Sequence, residues 1–156
     1  MTSMTNPRSE PAAPNEPGAA AAYGFGTTIN APFEDAVTLT TEALKAEGFG
    51  VLTTIDVQAV MKAKLQQGFE RYVILGACNA PLAHRALEAE HSVGLLLPCN
   101  VVLHEAHEGD PATSTRVEIA DPLAMLGIVQ NPALHEVAVE ARARLERVIA
   151  ALNASK

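Results

Sequence analysis

The strongest constraint on the fold lies at the C-terminal end of the chain. Leu134, Val137, Ala141, Leu145, Val148, Ile149 and Leu152 recur at helical spacing after Asn131-Pro132, a cap followed by proline at the first helical position. On the opposite side, Glu140–Arg144 and Arg142–Glu146 stand four residues apart, each pair contributing about 0.2–0.5 kcal/mol. A long helix with one apolar face needs a broad apolar surface to cover it, and the rest of the chain must supply that surface.

Short β-patterned runs supply it. Tyr23, Phe25, Thr27 and Ile29 alternate with small residues and predict a half-buried first strand. Pro32 then opens a helix with Glu34 and Asp35 in its first turn, where acidic groups meet the positive end of the dipole. Phe33, Val37, Thr40 and Leu44 form its inward stripe, and Gly48 with Phe49 fits a Schellman ending. Val51 to Val57 predicts a second strand, and Asp56 caps a helix running to Gln67 with Val57, Val60, Met61 and Leu65 on one face. Tyr72 to Leu75 is a third strand. Asn79-Ala80-Pro81 starts another helix with Leu82, Ala86 and Leu87 inward, and Val93 to Leu103 reads as a fourth strand. After the turn Glu108-Gly109-Asp110-Pro111, the alternation of Thr113, Thr115, Val117 and Ile119 gives a strand with one wet face, ended by Asp121-Pro122. A short helical piece, LAMLGIV, leads into the final helix. The class is α+β: a mixed sheet of about five strands with helices packed on it, and a long C-terminal amphipathic helix.

The organisation is a disordered leader over 1–22, rich in proline, alanine, asparagine and serine, one domain over 23–152, and a tail over 153–156. Hydrophobic residues at 48% and charged residues at 19% suit a globular protein, and no apolar run approaches the roughly 18 residues a membrane span needs. Arg8 and Lys156 cancel Glu10 and Glu16, so the domain carries the whole net charge of −7. An acidic surface without a lysine or arginine cluster argues against nucleic acid and anionic membrane as partners. Two cysteines are no disulfide framework, and the leader has no secretory apolar core, so the expectation is a cytoplasmic protein with free thiols.

Those cysteines stand in a repeated pair, Cys78-Asn79 and Cys99-Asn100, each preceded by an apolar run. Strand, helix, strand from Tyr72 to Leu103 allows a parallel βαβ unit with both thiols towards the carboxyl ends of adjacent strands, where open sheets bind ligands. Cys78 precedes a helix start, a placement that lowers a thiol pKa. Pro98 cannot donate to a ladder and predicts a bulge that would re-aim Cys99. Free cysteine is equally at home as a small core residue, and Asn79 as a helix cap. The five histidines form no tight metal motif with the cysteines, and no metal site is assigned; His84 and His91 share a helix spacing, while His104 and His107 flank a strand end. No Gly-x-Ser-x-Gly, phosphate loop, HExxH or dinucleotide fingerprint is present.

The segments LGACNAPLAHRAL, GLLLPCNVVLHE and IADPLAML resemble the bacterial and archaeal family known as domain of unknown function 302, over about Tyr23 to Leu152. The resemblance implies a small α+β domain with helices against an antiparallel or mixed sheet, often dimeric. It maps the family motif onto Cys78, Asn79, Pro98, Cys99, Asn100, Asp121 and Pro122, and implies no established activity for them.

Three functional readings stand. In the first, a pocket formed near Cys78, Asn79, Pro98, Cys99, Asn100 and Asp121 binds a small apolar or thiol-reactive ligand. In the second, Cys78 is a low-pKa nucleophile and Cys99 its resolving partner in thiol redox or sulfur handling. The third is a structural or homodimerising module. Binding is favoured; no cofactor is specified, and whether the protein is an enzyme stays open.

Overall fold

The computed structural model describes residues 21–155. Nearly all of the expected leader, and Lys156, therefore lie outside the described residues. Five strands form one sheet: β1 (Gly24–Ile29), β2 (Gly50–Asp56), β3 (Tyr72–Cys78), β4 (Cys99–Glu105) and β5 (Thr115–Ala120), in the order β1-β5-β4-β3-β2. Every pairing is antiparallel. β1 and β2 occupy opposite edges, and α1 (Phe33–Ala46) carries the chain from one to the other across the sheet. The remaining strands fill the interval. The fold is α+β.

Alternation along the strands separates two faces. Leu75, Ala77, Val101, Leu103, Val117 and Ile119 are buried towards the helices, while the intervening Tyr72, Ile74, His104, Arg116 and Glu118 keep some exposure. Against the buried face lie α1 and α5 (Pro132–Ala154), with α3 (Ala80–Ala89) and α4 (Pro122–Leu126) packed against α5. The buried side of α5 is Leu134, Val137, Ala138, Ala141, Leu145, Val148 and Leu152, with Ile149 packed beside it. The helix runs to Ala154, two residues into the segment expected as a tail. No helix among the described residues is long and apolar enough to cross a membrane.

The helix ends follow from their residues. Phe49 N–H donates to the Leu44 carbonyl at 2.9 Å and Gly48 N–H to the Lys45 carbonyl at 3.0 Å, the two bonds of a Schellman ending. That ending needs a left-handed residue, and Gly48 has φ +84°. Asp56, Asn79, Asp121 and Asn131 each accept an N–H from the first turn of α2 (Val57–Leu65), α3, α4 and α5 respectively. The expected inward stripe of α2 is not buried: Val60 and Leu65 are exposed and no residue of that helix is fully covered.

The expected parallel unit between Tyr72 and Leu103 does not form. α3 leaves the end of β3 and runs about 15 Å, but the chain then doubles back through a 3-10 helix, His91–Leu96, of about 12 Å. The two displacements nearly cancel, so β4 begins beside the end of β3, with Ala77 opposite Cys99, and runs antiparallel. Val93 to Leu96, read as strand, belong to this return. Pro98 precedes β4 rather than interrupting it, behind a cis Leu97–Pro98 bond. The sheet irregularity lies instead in edge strand β2, between Val51 and Thr53.

Candidate functional site

The return of the chain after α3 brings both Cys-Asn pairs to one end of the sheet. Cys78 is the last residue of β3 and Cys99 the first of β4; the thiols are free and partly buried. Around them is a cavity of about 190 Å³. Ala77, Cys78, Cys99, Asn100 and Ala120 form its floor from three strands. Its walls come from Leu82, Ala83 and Ala86 of α3, Leu95 and Leu96 of the 3-10 helix, Met125 and Leu126 of α4, and Val137 and Ala141 of α5. Leu95 is 89% exposed, an apolar side chain beside the opening.

The lining is mainly apolar, and its polar members have defined tasks. Asn79 is buried, and its side-chain oxygen accepts the Leu82 N–H at 3.2 Å. The other end of that amide lies near Gly48, where an added Cβ would come within 2.9 Å of Nδ2. Asn79 is thus a cap that joins the start of α3 to the end of α1. Asn100 is an exposed residue at the edge of the lining.

Burial governs the thiols. It pushes the Cys99 thiol up to about 11, and the neighbouring Cys78 thiolate adds to the rise. Burial also raises the Cys78 thiol. The expected lowering of Cys78 by the helix start is absent. The first-turn N–H of Leu82 already has the Asn79 oxygen as acceptor, and Cys78 belongs to the strand that precedes the cap. Both sulfurs are therefore held as neutral S–H groups at neutral pH, weak donors rather than nucleophiles.

Residues 25–152 match the model of the family described as a domain of unknown function, DUF302. The chain belongs to this family. Its structure is similar to the crystal structure of an uncharacterised conserved DUF302 protein from Bacillus stearothermophilus, with a TM-score of 0.75 and 27% identity over 84% of this chain and 98% of the other. No curated protein matches the chain.

Of the family-motif residues read in the sequence, Cys78, Asn79, Pro98, Cys99, Asn100 and Pro122 line the cavity. Asp121 does not. Its carboxylate accepts the Leu123 N–H at 2.9 Å and pairs with Arg142 of α5, so it ties α4 to α5 behind the wall. Sequence reading missed the walls themselves: Ala83, Leu95, Met125 and Val137 come from four separate segments, and only the end of α4 following Asp121-Pro122 hinted at one of them. The thiol sites also stand apart from every histidine, since none lines the cavity.

Proposed function

We propose that this DUF302 chain is a binding module for a small, neutral, largely apolar molecule, held in the cavity over Cys78 and Cys99. The observation that carries this reading is an apolar cavity whose two thiols are kept protonated by burial. Its size suits a one-ring molecule: an apolar cavity of about 150 Å³ accepts benzene. Met125, unbranched and adaptable, and the exposed Leu95 give the opening some tolerance of shape. The S–H groups supply the few polar contacts that orient such a ligand. Charged ligands are disfavoured, because neither a cation nor a carboxylate lines the cavity to pair with them. The thiol-redox reading loses its main support with the raised pKa of both sulfurs. Free thiols fit a reducing cytoplasm. The test is a thermal-shift titration with toluene, indole and benzoate. Saturable stabilisation by the neutral pair and none by benzoate is expected; no response to any neutral probe, or a preference for benzoate, contradicts the reading.

A second observation supports self-association. Leu52 and Ile55 of edge strand β2, Val60 and Leu65 of α2, and Phe69 just after it are all exposed. An unpaired edge flanked by apolar side chains is an aggregation liability unless covered. We infer that a second copy covers it. Sedimentation at micromolar concentration should give a dimer that Ile55→Lys converts to monomer; a native monomer at all concentrations refutes this.

A further inference from the structure

A second cluster sits near the far end of β4, about 17 Å along the strand from Cys99. Glu70, His104 and His107 each offer one ligating atom there, and all three atoms lie within 4.8 Å of one another. Glu70 stands just before β3, His104 near the end of β4, and His107 in the segment that follows. The antiparallel register puts His104 opposite Tyr72 on β3 and Arg116 on β5, on the face away from the helices.

The imidazole of His104 is set as a metal-binding imidazole usually is. Its Nδ1 lies 2.8 Å from the Glu105 carbonyl oxygen. A carbonyl only accepts, so Nδ1 carries the proton and Nε2 presents its lone pair. A backbone carbonyl on the second nitrogen is a common outer partner of metal-bound histidine. The ring is further fixed by stacking on Tyr72 at 5.5 Å and by the edge of His107 at 5.4 Å. Glu118 of β5 brings Oε2 to 3.5 Å from His104 Nε2, while its other oxygen pairs with Arg116. His107 Nε2 is 2.9 Å from Glu70 Oε2.

A bound cation would draw these atoms closer together. Bonds of about 2.1 Å in a tetrahedral shell place ligand atoms about 3.4 Å apart. His107, exposed and beyond the end of β4, is the member with most room to move. Two carboxylates against the single guanidinium of Arg116 leave the cluster electronegative.

We propose that Glu70, His104 and His107 form a binding site for a first-row divalent cation, zinc being the best match to two imidazoles and a carboxylate, with Glu118 placed to complete the shell directly or through water. This site is separate from the cavity and stands or falls without it. The alternative is a plain His107–Glu70 surface pair that needs no metal.

The experiment is calorimetric titration of the metal-free full chain with zinc sulfate, repeated for His107→Ala, Glu70→Gln, His84→Ala and the Cys78→Ser/Cys99→Ser double variant. One zinc per chain is expected, weakened by at least roughly tenfold in His107→Ala and in Glu70→Gln. His84→Ala, which changes an exposed residue beside Glu88, and the double cysteine variant should bind as the native chain does. Cobalt in place of zinc should show no thiolate charge-transfer band. Absence of binding, binding unaffected by both site variants, or binding lost with the cysteines overturns the proposal. His107 is exposed, so its removal leaves the fold in place, and Glu70→Gln keeps the side-chain shape as a second check.

Discussion

Cys99 faces Ala77 across the β3–β4 pair, and burial there moves its thiol from the ordinary 9.0 to about 11. The folded chain thus holds this proton more tightly than the unfolded chain. The linked stability is fully present below about pH 9 and is lost as the pH climbs towards 11, on the order of 2 kcal/mol in all. Denaturation midpoints of the native protein should fall over that range, whereas Cys99→Ser, which does not titrate, should show a flatter profile. Alkylation gives a second reading of the same fact: near pH 8 only about a thousandth of Cys99 is thiolate, so modification of the native protein should be slow and rise steeply with pH. Rapid alkylation of Cys99 near neutral pH contradicts this. Thr40 shows the cost of a buried polar group more simply. Its side chain is fully buried in α1 and its hydroxyl has no hydrogen-bond partner. Thr40→Val replaces that hydroxyl with a methyl of similar shape and should raise stability by about 1 kcal/mol in urea denaturation.

At the scale of elements, the local grammar was readable and the register was not. Asp56, Asn79 and Asn131 are caps because a short polar side chain before an apolar stripe satisfies N–H groups that the helix leaves open, and that depends only on neighbours. The Schellman ending at Gly48-Phe49 and the stripe of α5 are equally local. The β3–β4 orientation depends on the summed length of α3 and the 3-10 return, and GLLLP reads as strand or helix with equal ease. Gly76 was silent in the sequence for the same reason, since its role comes from another strand. A Cβ there would lie 2.2 Å from Thr53 Oγ1 and 2.9 Å from Pro98 Cγ, so β2 and the start of β4 close over it. Gly76→Ala should cost about 1–3 kcal/mol and loosen the cavity through Pro98. Gly50→Ala, with open space at the corresponding position, should be near neutral. Equal effects of the two substitutions on thermal stability would refute this account of the strand packing.

Across the whole molecule, the doubled Cys-Asn marked one end of the sheet but not what surrounds it there. The motif places two thiols; it does not show how deeply they are covered, and coverage comes from α3, α4, α5 and the 3-10 helix together. Asp121 illustrates the converse: it is part of the motif, yet it works behind the wall by holding Arg142 and capping α4. The His104 cluster was hidden because Glu70 stands before β3, while His104 and His107 lie at and beyond the end of β4, and only the antiparallel register brings them side by side. If the space over the thiols is a binding cavity, Ala83 offers direct access to it. Ala83 lines the cavity from α3 without being fully buried, so Ala83→Leu fills the space with a good helix former. Fluorine NMR of fluorinated toluene titrated with native protein should show saturable binding that Ala83→Leu abolishes while the protein's melting temperature stays the same or rises. Equal binding to both proteins, or none to the native chain, would contradict the account.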